Sequence, residues 1–279
     1  MRALAVLLIA ALGVLKVQGA GPDAAANPPY LIAPEPTWAE PAELPLDAVV
    51  PDGETSDGIF YLLTEEQILA EPRAEYGQFA RRILNESGVQ SGSEIHIEVD
   101  PSYQKLVLHR VDVLREGQWT NRLDPSVISV LQREADMERY MLDGSYTVVI
   151  RLPDIRPGDV IRYSFTTEGA NPVMDGHFFT SFSAGWNQPC ARFRQRIWLP
   201  PGRWIEVRNH NTELAPKIVE TEHGTLYEWQ AENLPATVAE QDLPYWEDVY
   251  PWIEVGDMKG WSEVVDWALP LYDFGQPLS

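Results

Sequence analysis

One cysteine, three arginines at alternate positions, five histidines and a pair of tryptophans beside carboxylates are the residues that could do chemistry in this chain. Cys190 follows a proline in Asn187-Gln-Pro-Cys-Ala-Arg-Phe193 and precedes an alternating strand. A nucleophilic thiolate needs a helix N-terminus or a neighbouring base, and neither stands beside it, so the spacing predicts a buried structural thiol. Arg192, Arg194 and Arg196 alternate with Phe193, Gln195 and Ile197 and so share one strand face. In an acidic chain they are expected to pair with carboxylates of adjacent strands; the functional alternative is a strip that binds an anion or peptide, with Trp198 able to stack on a guanidinium.

His96, His109, His177, His210 and His223 show no metal-binding spacing, and no metal or cofactor is expected. Asp52-Gly-Glu-Thr-Ser-Asp57-Gly58 superficially resembles a calcium loop but lacks the ligand order and closing glutamate, and reads as a solvated turn. Trp246 and Trp252, with Glu247, Asp248 and Glu254 nearby, are the candidates for stacking on a sugar; core and edge packing is the favoured use of these rings.

These side chains hang on elements written mostly in period two. Ile95, Ile97 and Val99 alternate with Glu94, His96 and Glu98; Leu106 to Val113 run to a Glu116-Gly117 turn. Tyr146 to Ile150, Val160 to Thr167, Phe178–Phe182, Phe193–Leu199, Trp204–Val207 and Leu226–Trp229 continue the series. Short strands at this spacing predict a mainly β fold, an antiparallel β-sandwich of two sheets with few short helices. Glu65–Glu71, behind Thr64, reads as one or two helical turns. Asp124-Pro125 opens either a helix or, given Val127, Ile128 and Val130, a strand. Trp261, Val264, Val265 and Ala268 form one face of a C-terminal amphipathic helix that Pro270 ends.

Arg2 and the apolar run Ala3 to Leu15, closed by Lys16, have the layout of a secretory signal peptide over residues 1–20, too short for a membrane span. Residues 21–57 are rich in Pro and Ala and read as an extended tether, with the β-sandwich over 58–255 and the helical segment over 256–279. The 279 residues carry 42 acidic and 21 basic side chains, a formal charge of −21, which argues against nucleic acid as a partner. An exported protein, periplasmic or extracellular, with no stable span once the signal is removed, is expected.

Asp100-Pro-Ser-Tyr-Gln-Lys-Leu-Val-Leu-His109, Val113-Leu-Arg-Glu-Gly117, Val130-Leu-Gln-Arg-Glu134, Asp143-Gly144 and Arg156-Pro-Gly-Asp-Val-Ile161 occur in fixed order. Together they resemble the domain of unknown function that precedes a transglutaminase-like, papain-fold domain in many exported bacterial proteins. Trp261-Ser-Glu-Val-Val-Asp-Trp267 is similar to the segment that opens the transglutaminase-like part. The resemblance implies a β-sandwich and a role in packing against or positioning such a domain, in cis or in trans. It carries no catalytic residue onto this chain, because the catalytic region would follow the Trp261 helix. Two alternatives stay open: the N-terminal part of a longer cysteine acyl-transferase or peptidase, and a stand-alone carbohydrate- or peptide-binding module.

Overall fold

The computed structural model describes residues 28–51, 57–131, 144–239 and 248–272. Their strands are β1 (Tyr30–Ile32), β2 (Ile59–Leu69), β3 (Ala74–Ile83), β4 (Glu94–Val99), β5 (Lys105–Arg115), β6 (Gln118–Asn121), β7 (Ile128–Leu131), β8 (Tyr146–Arg151) and β9 (Val160–Glu168). The second half adds β10 (Phe179–Ser183), β11 (Cys190–Leu199), β12 (Glu206–His210), β13 (Lys217–Thr221), β14 (Gly224–Leu234) and β15 (Trp252–Gly256). Two α-helices, α1 (Glu86–Gly92) and α2 (Trp261–Ala268), complete the set.

Strand alternation does what it predicts. In β4 the isoleucines and valine are buried while His96 and Glu98 face water, and β5 turns into β6 through Glu116 and Gly117, both at positive φ, the conformation a tight hairpin needs. One nine-stranded sheet, in the order β1-β5-β9-β3-β2-β11-β14-β13 with β6 on β5, forms the first layer. The second layer is divided between two three-stranded sheets, β4-β8-β7 and β10-β15-β12.

The mainly β, sandwich-type architecture with a C-terminal helix therefore holds, with two refinements. The covering layer is split, making three sheets, and β1/β5 and β2/β11 pair in parallel within an otherwise antiparallel arrangement. The split follows the core: Ile95, Ile97, Val148 and Ile150 pack on Leu106, Leu108 and Ile161 at one end of the large sheet. Phe182, Ile253 and Val255 pack on Phe193, Ile197 and Trp229 at the other.

The helical reading of Glu65–Glu71 is corrected. Glu65, Glu66 and Gln67 lie in β2, hydrogen-bonded between β3 and β11, where ladder pairing on both sides overrides their helix propensity. Asp124-Pro125 does both things in turn: the Asp124 carboxylate accepts from Ser126 N at 2.8 Å, capping a single 3-10 turn over Pro125–Val127 that runs into β7.

Residues 28–51 begin with β1, which pairs with β5 at the edge of the large sheet, and the chain after it crosses the outer face of that sheet. Beyond β1 the proline-rich strap adds no further rung to the ladder, and side chains from the sheet reach its peptide groups instead. Gln67 donates to Glu40 O at 2.9 Å, Gln78 to Ala42 O at 2.8 Å and Arg82 to Ala48 O at 3.0 Å, while Ala42 N donates to Glu65 at 2.8 Å. Ala42, Leu44, Ala48 and Val50 pack on Phe60, Leu62, Leu63 and Ala80 beneath. The described part of the strap thus packs on the sheet as an extended segment.

Candidate functional site

Cys190 opens β11 rather than a helix and is fully buried. Its thiol lies 3.2 Å from Arg192 O and 3.8 Å from Thr64 Oγ1, and burial pushes its pKa up to about 11, so the thiolate is disfavoured. The histidines are dispersed: His109 bridges Ala33 O and Thr166, at 2.9 and 2.7 Å, and His96 and His177 face Glu94 and Asp257. Among the described residues no three His, Cys, Asp or Glu side chains gather where a metal ion would sit.

The three arginines lie under the strap. Arg192 pairs with Glu232 across the β14 register at 2.8 Å, Arg194 with the fully buried Glu65 of β2, and Arg196 with Glu40 of the strap at 2.8 Å. The Arg196 guanidinium also lies 5.7 Å from the Trp198 ring centroid. Their charges thus serve the packing of strap on sheet.

Trp252 is on β15, in the opposite layer from the arginines. Its register partner on β12 is His210, and the two rings stack with centroids 3.7 Å apart and planes within 3°. One face of the indole is thereby occupied. Trp246, with Glu247, lies outside the described residues.

The solvent face of β10-β15-β12 and helix α2 together form a groove of about 330 Å³. Gly256 and Phe179 make its floor: Phe179 faces Gly256 across the register, and a Cβ at Gly256 would come within 2.6 Å of the ring. Trp261, Val264 and Trp267 of α2 form one wall, and Glu206, Arg208 and Glu254 the polar rim. Asp257, between β15 and α2, accepts hydrogen bonds from Phe178 N at 3.0 Å and from Arg203 Nε at 3.1 Å, while Trp267 Nε1 donates to Val173 O at 2.9 Å. The segment entering the helix is thus held at Asp257, and the helix itself at Trp267.

Its free side is apolar. Trp261 is 83% exposed and Val265 48%, Leu269 and Tyr272 of the 3-10 turn that continues the helix are 61% and 75% exposed, and no residue of α2 is buried. Exposed apolar residues contiguous along a helix mark a contact surface more often than chance does. Sequence reasoning found α2 from its period and missed Phe179, Asp257 and Arg203, because the floor and the latch come from strands distant in the chain.

Residues 73–238 match the family described as a domain of unknown function with solved structure, DUF3857. This chain belongs to the DUF3857 family. The matched span includes the groove floor at Phe179 and the rim at Glu206 and Arg208, and it stops short of β15 and α2. A solved chain from Parabacteroides distasonis ATCC 8503, described as a "putative protease", is similar to this chain in fold, with a TM-score of 0.63 at 13% identity. The likeness covers 74% of this chain and 41% of that one, so this chain spans about two fifths of that protein's length. No curated protein matches the sequence.

Proposed function

We propose that this DUF3857 chain is an exported, non-catalytic accessory module that packs against and positions a transglutaminase-like domain through α2 and the adjoining groove. The observation that carries the reading is the exposed apolar side of α2, latched at Asp257 and Trp267 rather than buried. A helix that is structurally fixed yet leaves Trp261 and Leu269 in water has surface to lose on association, roughly 25 cal/mol for each Å² covered. The order of motifs quoted above supports a papain-fold partner, and the Arg2 to Leu15 pattern supports export.

The test uses a transglutaminase-like domain expressed separately and titrated calorimetrically with this chain. Micromolar or tighter binding is expected, weakened at least about tenfold by joint Trp261→Ser and Leu269→Ser substitution without loss of thermal stability. Absence of binding, or turnover of amide or acyl substrates by this chain alone, would overturn the reading.

A second reading, the N-terminal part of a longer cysteine acyl-transferase or peptidase, is favoured by the 41% coverage of the Parabacteroides chain. The two readings differ in whether the partner is joined covalently. Intact mass and N-terminal sequencing of the native polypeptide separate them and test export at the same time.

A further inference from the structure

Between the two small sheets, the inner face of the large sheet carries a row of residues centred on Glu66, in which Tyr163 and Phe165 flank the core under β4-β8-β7. Glu66 of β2 is half-buried there. Its register neighbours are Gln195 on β11 and Gly77 on β3, and Gly77 in turn faces Phe165 on β9. Gly77 has no side chain, and the rings of Phe79 and Phe165 close over it: a Cβ at Gly77 would meet Phe79 at 2.7 Å and Phe165 at 3.5 Å. Two rings thereby cover the position that neighbours Glu66 in the register. Phe79 is stacked on Tyr163 at 5.1 Å and on Phe165 at 6.0 Å, and Tyr163 and Phe165 are parallel within 6°, so the three half-buried rings form one platform.

The charged neighbours of Glu66 on this face each have a partner, Arg81 through Nη2 and not through Nε. Glu75 is ion-paired with Arg73, which also lies over the Phe178 ring at 4.6 Å. Arg81 lies 5.7 Å from the Tyr163 ring and donates to Glu94 O at 2.8 Å. Glu66 has neither a cation nor a hydrogen-bond donor among the described residues. Beside it, Gln195 is 1% exposed and its Nε2 is without an acceptor. A carboxylate taken partly out of water without compensation costs stability, and a buried amide N–H without an acceptor adds to that cost. Both costs fall on one spot.

We propose that the Glu66 row is a binding site for an alkylammonium group, with the carboxylate as counter-ion and the Phe79, Phe165 and Tyr163 platform as the surface for the methylene stem. An ammonium is the cation that a carboxylate flanked by aromatic faces recognises, through charge on one side and ring quadrupoles on the other. A neutral sugar would leave the carboxylate uncompensated, and an anion would be repelled by Glu66 and Glu75 together. Burial and the charge of Glu75 push the Glu66 carboxyl up to about 7, the direction expected of an acid that lacks its cation. The site is independent of α2 and stands whether or not that helix docks a partner.

Free amines and lysyl side chains share this chemistry, and two probes distinguish them. The whole chain is titrated, in about 0.15 M salt to screen its net negative charge, with 1,5-diaminopentane and with a short extended peptide carrying one lysine and blocked termini. Saturable binding of at least one probe is expected, lowered at least about tenfold by Glu66→Gln. The exposed-acid control Glu98→Gln is expected to bind as the wild type does. Binding of the peptide alone assigns the site to a lysyl side chain; binding of the diamine assigns it to free amines. Phe165→Leu, which keeps the strand apolar and removes the ring, is expected to weaken binding as well. Failure of both probes to saturate, or equal loss in the Glu66 and Glu98 variants, would overturn the assignment. Unchanged near-ultraviolet circular dichroism in the Glu66 variant shows that the fold is retained.

Discussion

Arg194→Ala is the substitution whose consequence the structure specifies most fully. Glu65 is fully buried and accepts hydrogen bonds from Arg194 Nε at 2.8 Å, Gln67 Nε2 at 2.8 Å and the strap's Ala42 N at 2.8 Å. Removing the guanidinium leaves a buried carboxylate with two neutral donors, and stranding one member of a buried pair costs about 3–5 kcal/mol. In a domain of this size each kcal/mol moves the melting temperature by roughly 2–4 °C, so a fall on the order of 10 °C is expected. Urea titration gives the free energy directly. The double variant Glu65→Gln with Arg194→Met removes both charges and is expected to recover most of the loss, giving a coupling energy of about 2 kcal/mol or more. A cost for Arg194→Ala under about 1 kcal/mol, or strict additivity, would refute the argument that the strap is seated on a charge pair rather than on its apolar contacts.

Three further outcomes follow from other sites. The Glu66 carboxyl is raised from 4.5 to about 7 in the folded chain. Between those values the folded state holds a proton that the unfolded state has released, so stability is greatest below pH 4.5 on this account and falls as pH rises through 7. The expected fall is about 2 kcal/mol after allowance for partial exposure, and Glu66→Gln should flatten it in urea melts across that range. Cys190 is expected to be silent to a thiol reagent at pH 8 in the native chain and to react fully once denatured, because burial holds the thiol near 11. Gly88→Ala would place a Cβ 1.9 Å from Gly58 O, and a loss of more than about 2 kcal/mol in chemical denaturation is expected as α1 is pushed from β2.

How legible each part was depends on which faces are covered. β4, β5, β9, β11 and β14 alternate because one face meets a core and the other meets water or a polar layer, and the period survives in the residues. β2 is central and covered on both faces, by the strap outside and the small sheets inside. Its Glu65 and Gln67 are buried because donors from the strap and β11 satisfy them, and no local pattern announces that. α1 was hidden by its Ser and Gly content; its cap, Asn85 accepting from Gly88 N at 3.0 Å, is the one signal that could have found it. The helix wall of the groove was readable at period 3.6, whereas its floor, its latch and the Glu66 row arise from strands that only the topology brings together.

The parallel pairing of β2 with β11 also fixes when the molecule can become whole. Arg194 lies 129 positions after Glu65, and every strand on the β14 side of the sheet is synthesised after that interval. At ~5–20 residues per second the open edge of β2 waits on the order of ten seconds for its neighbour. Throughout that time Phe60, Leu63 and the Glu65 charge have no finished surroundings. The first half of the chain is therefore a sticky, incomplete sheet, and whatever machinery handles it during synthesis or transfer meets that sheet before it meets the native protein.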